Sequence, residues 1–348
     1  MIISRGIKLI GIKFPVNCML KLLIFIIGIF IYESIQSSEA VSNIDCTWDN
    51  RKKIPCLNII SNVSNSSEFS KSGINKTIIS KKQILESGAI DIIDVLRSIP
   101  DINITQSGPM GQQASMFMRG TNSNHTLVMI NGIPINDQSA TQGLHDFGVD
   151  FIQTIHQIEV FPGSSASHFG SNSIGGAVNI VLTGDFKDSI SIGYDKNNNY
   201  ELSTNKSFIL DNSSLNIKVG SVKDKSISVR GDTKDEKDGV KNYTTNINYE
   251  NFLDTNNKIF NTIYLRQTKS EYDNSVSNQS GYEGDNKMGS FQFGFENTVS
   301  ESKKNYTLFY NIYDREYDER GTIDTYESEA LGVKFNFSKT FNNKISLG

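Results

Sequence analysis

The sequence predicts two unlike regions, an α+β domain over residues 77–183 and antiparallel strands of a transmembrane β-barrel over residues 187–348. Three observations support this fold class. An apolar export signal lies near the N-terminus, short strands alternate with glycine-rich loops in the first region, and apolar and polar residues alternate over long stretches of the second. A soluble β-sandwich shows the same alternation and is the competing fold class. The export signal, the segment length and the aromatic residues in the apolar columns favour the barrel.

The export signal is the apolar run LLIFIIGIFIY at residues 22–32, which follows Lys21. Small residues at Ser38 and Ala40 match the −3 and −1 positions of a cleavage site. A membrane anchor is the alternative, but the run is well short of the roughly 20 residues that a spanning helix needs. We therefore expect residues 1–40 to be a signal peptide and the mature protein to be exported.

Residues 41–76 are rich in Ser and Asn and predict a flexible N-terminal segment. Cys46 and Cys56 lie within it, and in an oxidising compartment we expect them to form a disulfide. A metal site is the alternative, although two thiols without a nearby His or further Cys supply too few ligands.

The α+β domain begins with a helix signal. Ser80 and Gln83 have the spacing of a capping box, Ile92, Val95, Leu96 and Ile99 share one helical face, and Pro100 ends the helical pattern. The pair Asn131-Gly132 predicts a tight turn. The predicted strands are residues 102–105, 114–118, 126–130, 157–161 and 177–181.

The second region carries apolar columns with a period of two residues, which predict strands of roughly ten residues each. Two of the predicted connections between strands, 231–239 and 271–285, are long and polar, and they alternate with shorter turns. The columns are Ile190–Tyr194, Leu215–Val219, Tyr243–Tyr249, Phe291–Phe295, Tyr306–Ile312 and Leu331–Phe337.

Composition and motifs exclude several other functions. The net charge is −4 and no basic run exceeds three residues, so no nucleic-acid partner is predicted. The four histidines, at 125, 145, 156 and 168, have no metal-ligand spacing. Serines lie near His168, but they form no nucleophile elbow. We therefore expect no catalytic residues and no enzymatic activity.

Three segments carry a resemblance to a known family: DVLRSIPDINITQSG, MFMRGTNSNHTLVMINGIPIN and IEVFPGSSASHFGSNSIGGAVNIV. In this order they resemble the plug domain of TonB-dependent outer-membrane receptors, and within that family they are most similar to receptors for cobalamin. The resemblance implies a plug inside a barrel of about 22 strands. It also implies a location in the outer membrane, in contact with its lipid, and energy supplied by TonB of the inner-membrane complex.

The resemblance implies uptake of a large scarce nutrient, with cobalamin or a related corrinoid as the expected ligand. An iron–siderophore or haem receptor is the alternative within transport. A non-transporting surface binder or remnant is the alternative outside it. Residues 187–348 suffice for about eight or nine strands, so the barrel is expected to be incomplete and the chain to be a fragment or a truncated reading frame.

Several site residues follow from the resemblance. Ser107 and Gln112 in one plug loop and Thr141 in another are expected to bind the substrate, with ordinary solvated loop residues as the alternative. Arg119, at a strand end, is expected to pair with carboxylates of the barrel, or else to form a purely structural ion pair.

The segment that TonB pulls, the Ton box, is expected at Leu57, Asn58, Ile59, Ile60 and Ser61. Such an extended apolar pentapeptide can add to TonB as a β-strand. An apolar patch in a linker is the alternative reading.

The resemblance also implies calcium as a cofactor that orders two outer loops. The expected ligands are Glu236 and Asp238 in one loop, and Asp273 and Asp285 in the next. Solvated acidic loops are the alternative.

Overall fold

The chain falls into two units, Met1–Cys56 and Leu57–Gly348, in a computed structural model. The structure describes residues 8–9, 12–13, 76–163, 169–184, 187–227, 237–273, 282–341 and 345–347. In the first unit, strand β1 (Lys8–Leu9) pairs antiparallel with β2 (Ile12–Lys13). The rest of the predicted signal peptide and both cysteines of the predicted disulfide lie outside the described residues.

The second unit opens with the predicted α+β domain. Its elements are β3 (Thr77–Ser80), α1 (Lys81–Ser87), α2 (Ile92–Leu96), β4 (Ile102–Gln106), β5 (Ala114–Met118), β6 (Thr126–Ile130), β7 (Ile133–Pro134), β8 (Gln157–Pro162) and β9 (Gly176–Val181). Five strands form one sheet in the order β3-β8-β9-β6-β7, in which only β6 and β9 run parallel. Strands β4 and β5 pair separately. The predicted strands are confirmed to within one residue at each end.

Local sequence explains how the helices begin and end. The capping box is confirmed, because the Ser80 hydroxyl accepts a hydrogen bond from the Gln83 amide while the Gln83 side chain accepts from the Ser80 amide. Gly88 ends α1 with a φ of 68°, and Asp91 caps α2. The residues of the predicted helical face are buried in the main apolar core, but α2 ends at Leu96, so Ile99 lies beyond the helix and the helix stops before Pro100. No helix among the described residues is long and apolar enough to cross a membrane.

The predicted turn at Asn131-Gly132 is confirmed. It is the two-residue connection between β6 and β7, and its φ values of 48° and 80° are those that Asn and Gly adopt most easily. The Asn131 side chain accepts a hydrogen bond from the Leu182 amide at 2.9 Å. The Gly132 amide donates to Asn179 Oδ1 at 2.8 Å. Side chains therefore hold the turn in place, and the Gly132 carbonyl is left to accept a hydrogen bond from outside the domain.

The remaining strands form one antiparallel sheet in which each strand pairs with the next along the chain. They are β10 (Ser189–Tyr194), β11 (Tyr200–Ile209), β12 (Ser213–Ile227), β13 (Asp238–Phe252), β14 (Asn257–Glu271), β15 (Tyr282–Val299), β16 (Ser302–Glu319), β17 (Thr322–Phe341) and β18 (Ile345–Leu347). Strands β12 to β17 contain 15 to 20 residues, so the expected length of roughly ten was too short.

This sheet buries polar side chains and exposes apolar ones. On β13, Asn242, Thr244 and Asn246 are at most 1% exposed, whereas on β17 Val333 is 73% and Phe335 is 55% exposed. A soluble β-sandwich buries its apolar columns between two sheets. The reverse arrangement is that of a barrel with a polar interior and a lipid-facing exterior. The sandwich alternative is therefore excluded, and the predicted fold class is confirmed.

Val333→Arg tests the assignment of the outer face. Val333 lies near the middle of β17, where a charge facing the hydrocarbon costs about 2–4 kcal/mol. We expect that loss in the free energy of unfolding of the protein folded into phospholipid vesicles, measured by denaturant titration. Glu327→Arg, on the same face nearer the strand end, is the control and should change it by at most about 1 kcal/mol. Equal stability of the Val333→Arg and unsubstituted proteins would contradict the assignment.

Candidate functional site

The α+β domain contacts the inner face of the large sheet through polar side chains that donate to its backbone carbonyls. The Lys334 ammonium donates to the Gly132 carbonyl at 2.7 Å, in the turn described above. Similar bonds run from Lys218 to Leu182 at 2.9 Å, from Thr268 to Val149 at 2.9 Å, from Gln292 to Ile130 at 3.1 Å and from Asn311 to Pro134 at 2.7 Å. The domain supplies acceptors for donors that would otherwise be buried without partners.

One ion pair lies at the centre of this contact. Arg266 on β14 is among the largest fully buried side chains, and it donates to Asp150 of the α+β domain and to Asn286 at 3.0 Å. The other oxygen of Asp150 lies 2.6 Å from Nε2 of His145. Burial raises the pKa of Asp150, but Arg266 and His145 outweigh this effect and hold the pKa below its usual value. Asp150 therefore stays ionised and binds the domain to the sheet.

A cavity of about 530 Å³ lies between two loops of the α+β domain and strands β14 to β17. It lies at the end of the sheet where the longer connections, 228–237 and 272–281, join the strands. Its volume falls in the range of small-molecule sites, about 300–1,000 Å³.

The three predicted substrate residues all line this cavity. Ser107 and Thr141 are exposed, and Gln112 is half-buried. The Gln112 amide nitrogen donates to the Glu271 carbonyl at the end of β14, so part of this side chain fixes the loop to the sheet. The structure thus places residues that are 34 positions apart in the chain beside one cavity, and their role in substrate binding stays a prediction.

Among the described residues, Arg119 pairs within its own domain and not with the barrel sheet. Its Nε lies 3.3 Å from Asp101 Oδ2, and its amide donates to the Asp101 carbonyl at 2.9 Å. Both residues have positive φ, 51° for Arg119 and 70° for Asp101, because each sits where a strand of the β4–β5 hairpin meets a turn. Among the described residues this ion pair is internal to the α+β domain. It corresponds to the alternative given for Arg119 in the sequence analysis, a purely structural ion pair.

The predicted calcium ligands come together only in part. Glu236 lies outside the described residues, Asp238 is buried at the start of β13, and Asp273 borders the cavity. The Asp285 carboxylate already accepts hydrogen bonds from Gln267 at 2.9 and 3.0 Å and lies near Lys269 and Lys287. Within the described part of the chain, no three His, Cys, Asp or Glu side chains are grouped as metal ligands.

The sheet side of the cavity carries residues that the sequence analysis did not single out. Tyr272, Tyr317 and Tyr326 line it, together with Arg315, Glu319 and Asp324. On β16, Arg315, Tyr317 and Glu319 share the parity of the buried Asn305, Thr307 and Asn311. That shared parity indicates an inward direction, whereas the exposed apolar side chains of β16, Tyr306 and Leu308, lie on the opposite face.

Comparison with known proteins agrees with this architecture. Residues 69–177 match the family model TonB-dependent Receptor Plug Domain. The siderophore receptor PirA from Acinetobacter baumannii is similar with 19% identity and a TM-score of 0.60, over 79% of this chain and 46% of that one. The ferric yersiniabactin uptake receptor FyuA from Yersinia pestis is similar with 15% identity and a TM-score of 0.63, over 77% and 46%.

The siderophore receptor PiuA, also from Acinetobacter baumannii, is similar with 15% identity and a TM-score of 0.61, over 77% of this chain and 43% of that one. The chain spans less than half the length of these structures, and the likeness at such identities is one of fold. The match to the plug-domain family is thus confined to residues 69–177. The chain has the fold of a TonB-dependent receptor: a plug followed by part of the barrel.

Asp150→Asn tests the ion pair between plug and sheet. The substitution leaves the Arg266 charge buried without its partner, so we expect a loss of about 3–5 kcal/mol in the free energy of unfolding in detergent micelles. Adding Arg266→Met to this variant should recover part of the lost free energy of unfolding. Because the native pKa of Asp150 is lowered, its contribution is complete at neutral pH and is lost as the pH falls below about 4.

The control is Asp94→Asn, which removes the exposed pair with Arg97 and should cost at most about 1 kcal/mol. Additive effects of the Asp150 and Arg266 substitutions would contradict a direct coupling between the two side chains.

Proposed function

We propose that this protein is a TonB-dependent outer-membrane receptor that imports a large, scarce nutrient. The observation that carries the proposal is the cavity between the plug loops and the barrel wall, at the end of the sheet with the longer connections. A ligand bound there touches both the plug and the barrel. Movement of the plug that breaks the Asp150–Arg266 ion pair would then connect ligand binding to passage through the barrel.

The ligand that we propose is cobalamin or a related corrinoid. Ser107, Gln112 and Thr141 supply hydroxyl and amide groups, which suit a large neutral ligand edged with amides. An iron–siderophore complex is the second candidate, because the similar structures named above are siderophore or ferric yersiniabactin receptors. Haem is a further member of this class of metal chelates.

The proposed protein partner is TonB, which would bind residues 57–61 as an added strand. Those residues lie outside the described part of the chain. The proposed lipid contact is the exposed apolar face of β10 to β17, which includes Ile192, Leu308 and Val333.

Calcium remains a proposal with a narrower ligand set. Asp285 fits poorly, because Gln267, Lys269 and Lys287 already surround its carboxylate. Asp273 fits better, since both of its carboxylate oxygens are buried without a hydrogen-bond partner among the described residues. Such oxygen ligands suit Ca²⁺. Bound calcium would link the connection after β14 to other acidic groups, with Glu236 as one proposed partner.

Uptake of radiolabelled cyanocobalamin tests the function, in cells that lack their own receptor and express this protein. We expect uptake that requires both TonB and a membrane potential. Ile60→Pro should abolish uptake but leave binding intact, because proline cannot donate the hydrogen bond that an added strand needs.

Asn65→Pro, in the same segment but outside the pentapeptide, is the matched control and should transport normally. Iron-loaded siderophores are tested in parallel for the second candidate. Accumulation that is independent of TonB, or none for any of these chelates, would overturn the proposed function.

A further inference from the structure

The cavity carries an excess of negative charge. Asp273, Glu319 and Asp324 border it, and among the described residues none of the three forms an ion pair. Asp273 also has both carboxylate oxygens buried without hydrogen bonds from the described part of the chain. Asp146 borders the cavity too, but it accepts bonds from the amides of Ala114 and Gly148 and so serves the fold of the loop.

Arg315 is the one cationic side chain among the described residues that border the cavity, and its charge is already neutralised. Its Nε lies 2.9 Å from Asp137 Oδ2, and it also donates to Ser139 at 3.2 Å. Asp137 in turn accepts a hydrogen bond from Ser328 at 2.8 Å. An anionic ligand would therefore have to compete with a buried carboxylate for Arg315.

Tyrosine rings form the wall beside these carboxylates. The Tyr272 and Tyr317 ring centres are 6.5 Å apart, and those of Tyr317 and Tyr326 are 6.1 Å apart, both in edge-to-face geometry. The Tyr317 ring lies over Gly284, where a Cβ would come within 3.3 Å of it. Arg315 lies 5.2 Å from the Tyr326 ring centre, so this wall already holds one cation against an aromatic face.

We propose that this tyrosine and carboxylate wall selects a ligand that is neutral or cationic overall and rejects anionic metal chelates. The inference rests on the proposed receptor function and narrows its substrate class. Carboxylates repel a negatively charged chelate, while tyrosine faces and hydroxyls bind cations and neutral polar groups. Glu319 and Asp324 determine this preference because they border the cavity without an ion-pair partner among the described residues. Tyr272 forms a hydrogen bond with Glu319, which leaves the negative charge of that carboxylate in place.

Binding of four probes to the full chain in lipid nanodiscs tests the inference. The probes are cyanocobalamin, which is neutral, ferrioxamine B, which is cationic, and ferric enterobactin and ferric citrate, which are anionic. We expect the better of the first two to bind at least about 10-fold more tightly than either anionic probe. In Glu319→Gln/Asp324→Asn that ratio should fall by about threefold or more, and it should also fall as the salt concentration rises.

Glu316→Gln/Glu327→Gln is the matched control. It removes two carboxylates from the opposite face of the same strands, and it should leave the ratio unchanged. Tighter binding of either anionic probe, or equal ratios in the two double variants, would overturn the inference.

The uptake assay separates this failure from failure of the receptor function. TonB-dependent uptake of an anionic chelate would overturn the charge preference alone. Absence of TonB-dependent uptake for all four probes would overturn the receptor function itself.

Discussion

The structure depends on one constraint, which is that the buried polar side chains on the inner face of the large sheet must find hydrogen-bond partners. Arg266 is the extreme case, since a buried guanidinium without a carboxylate would be strongly destabilising. Asp150 meets that need, and the carbonyls of the plug meet it for the neighbouring donors. The plug is thus held by the polar side chains of the sheet, which would destabilise the fold if they were buried without these partners.

The same constraint positions the cavity. The Asn131-Gly132 turn is fixed to the sheet by Lys334, and Asp150 is fixed by Arg266. Because both anchors lie deep in the contact, the plug loops near Gln112 and Thr141 reach the strand ends, where the tyrosine wall begins. A site through which a ligand acts on the plug needs two features. Polar plug loops must border the cavity, and fixed contacts with the sheet must hold the rest of the plug in position.

Much of the fold could be predicted from sequence, because its signals are local. The capping box at Ser80, the turn at Asn131-Gly132 and the period-two columns each depend on neighbouring residues alone. The site was harder to predict, because its contacts join residues that are far apart in the sequence. The partner of Arg119 among the described residues is Asp101, across a hairpin. Asp285 lies near Lys269 on the adjacent strand and Lys287 on its own strand. Pairs such as Asp150 with Arg266, 116 residues apart, leave no local pattern to find.

The central claim is that the two faces of the long strands meet different surroundings: the polar face contacts the plug, and the apolar face is the one proposed to contact lipid. A photo-crosslinking residue, p-benzoylphenylalanine, tests it when placed at Ser328, whose hydroxyl bonds Asp137 of the plug, and separately at the exposed Val333. Mass spectrometry of the irradiated protein in membranes should find the Ser328 label joined to plug peptides around residue 137 and the Val333 label joined to lipid. Crosslinks from Val333 to the plug, or from Ser328 to lipid, would contradict the account.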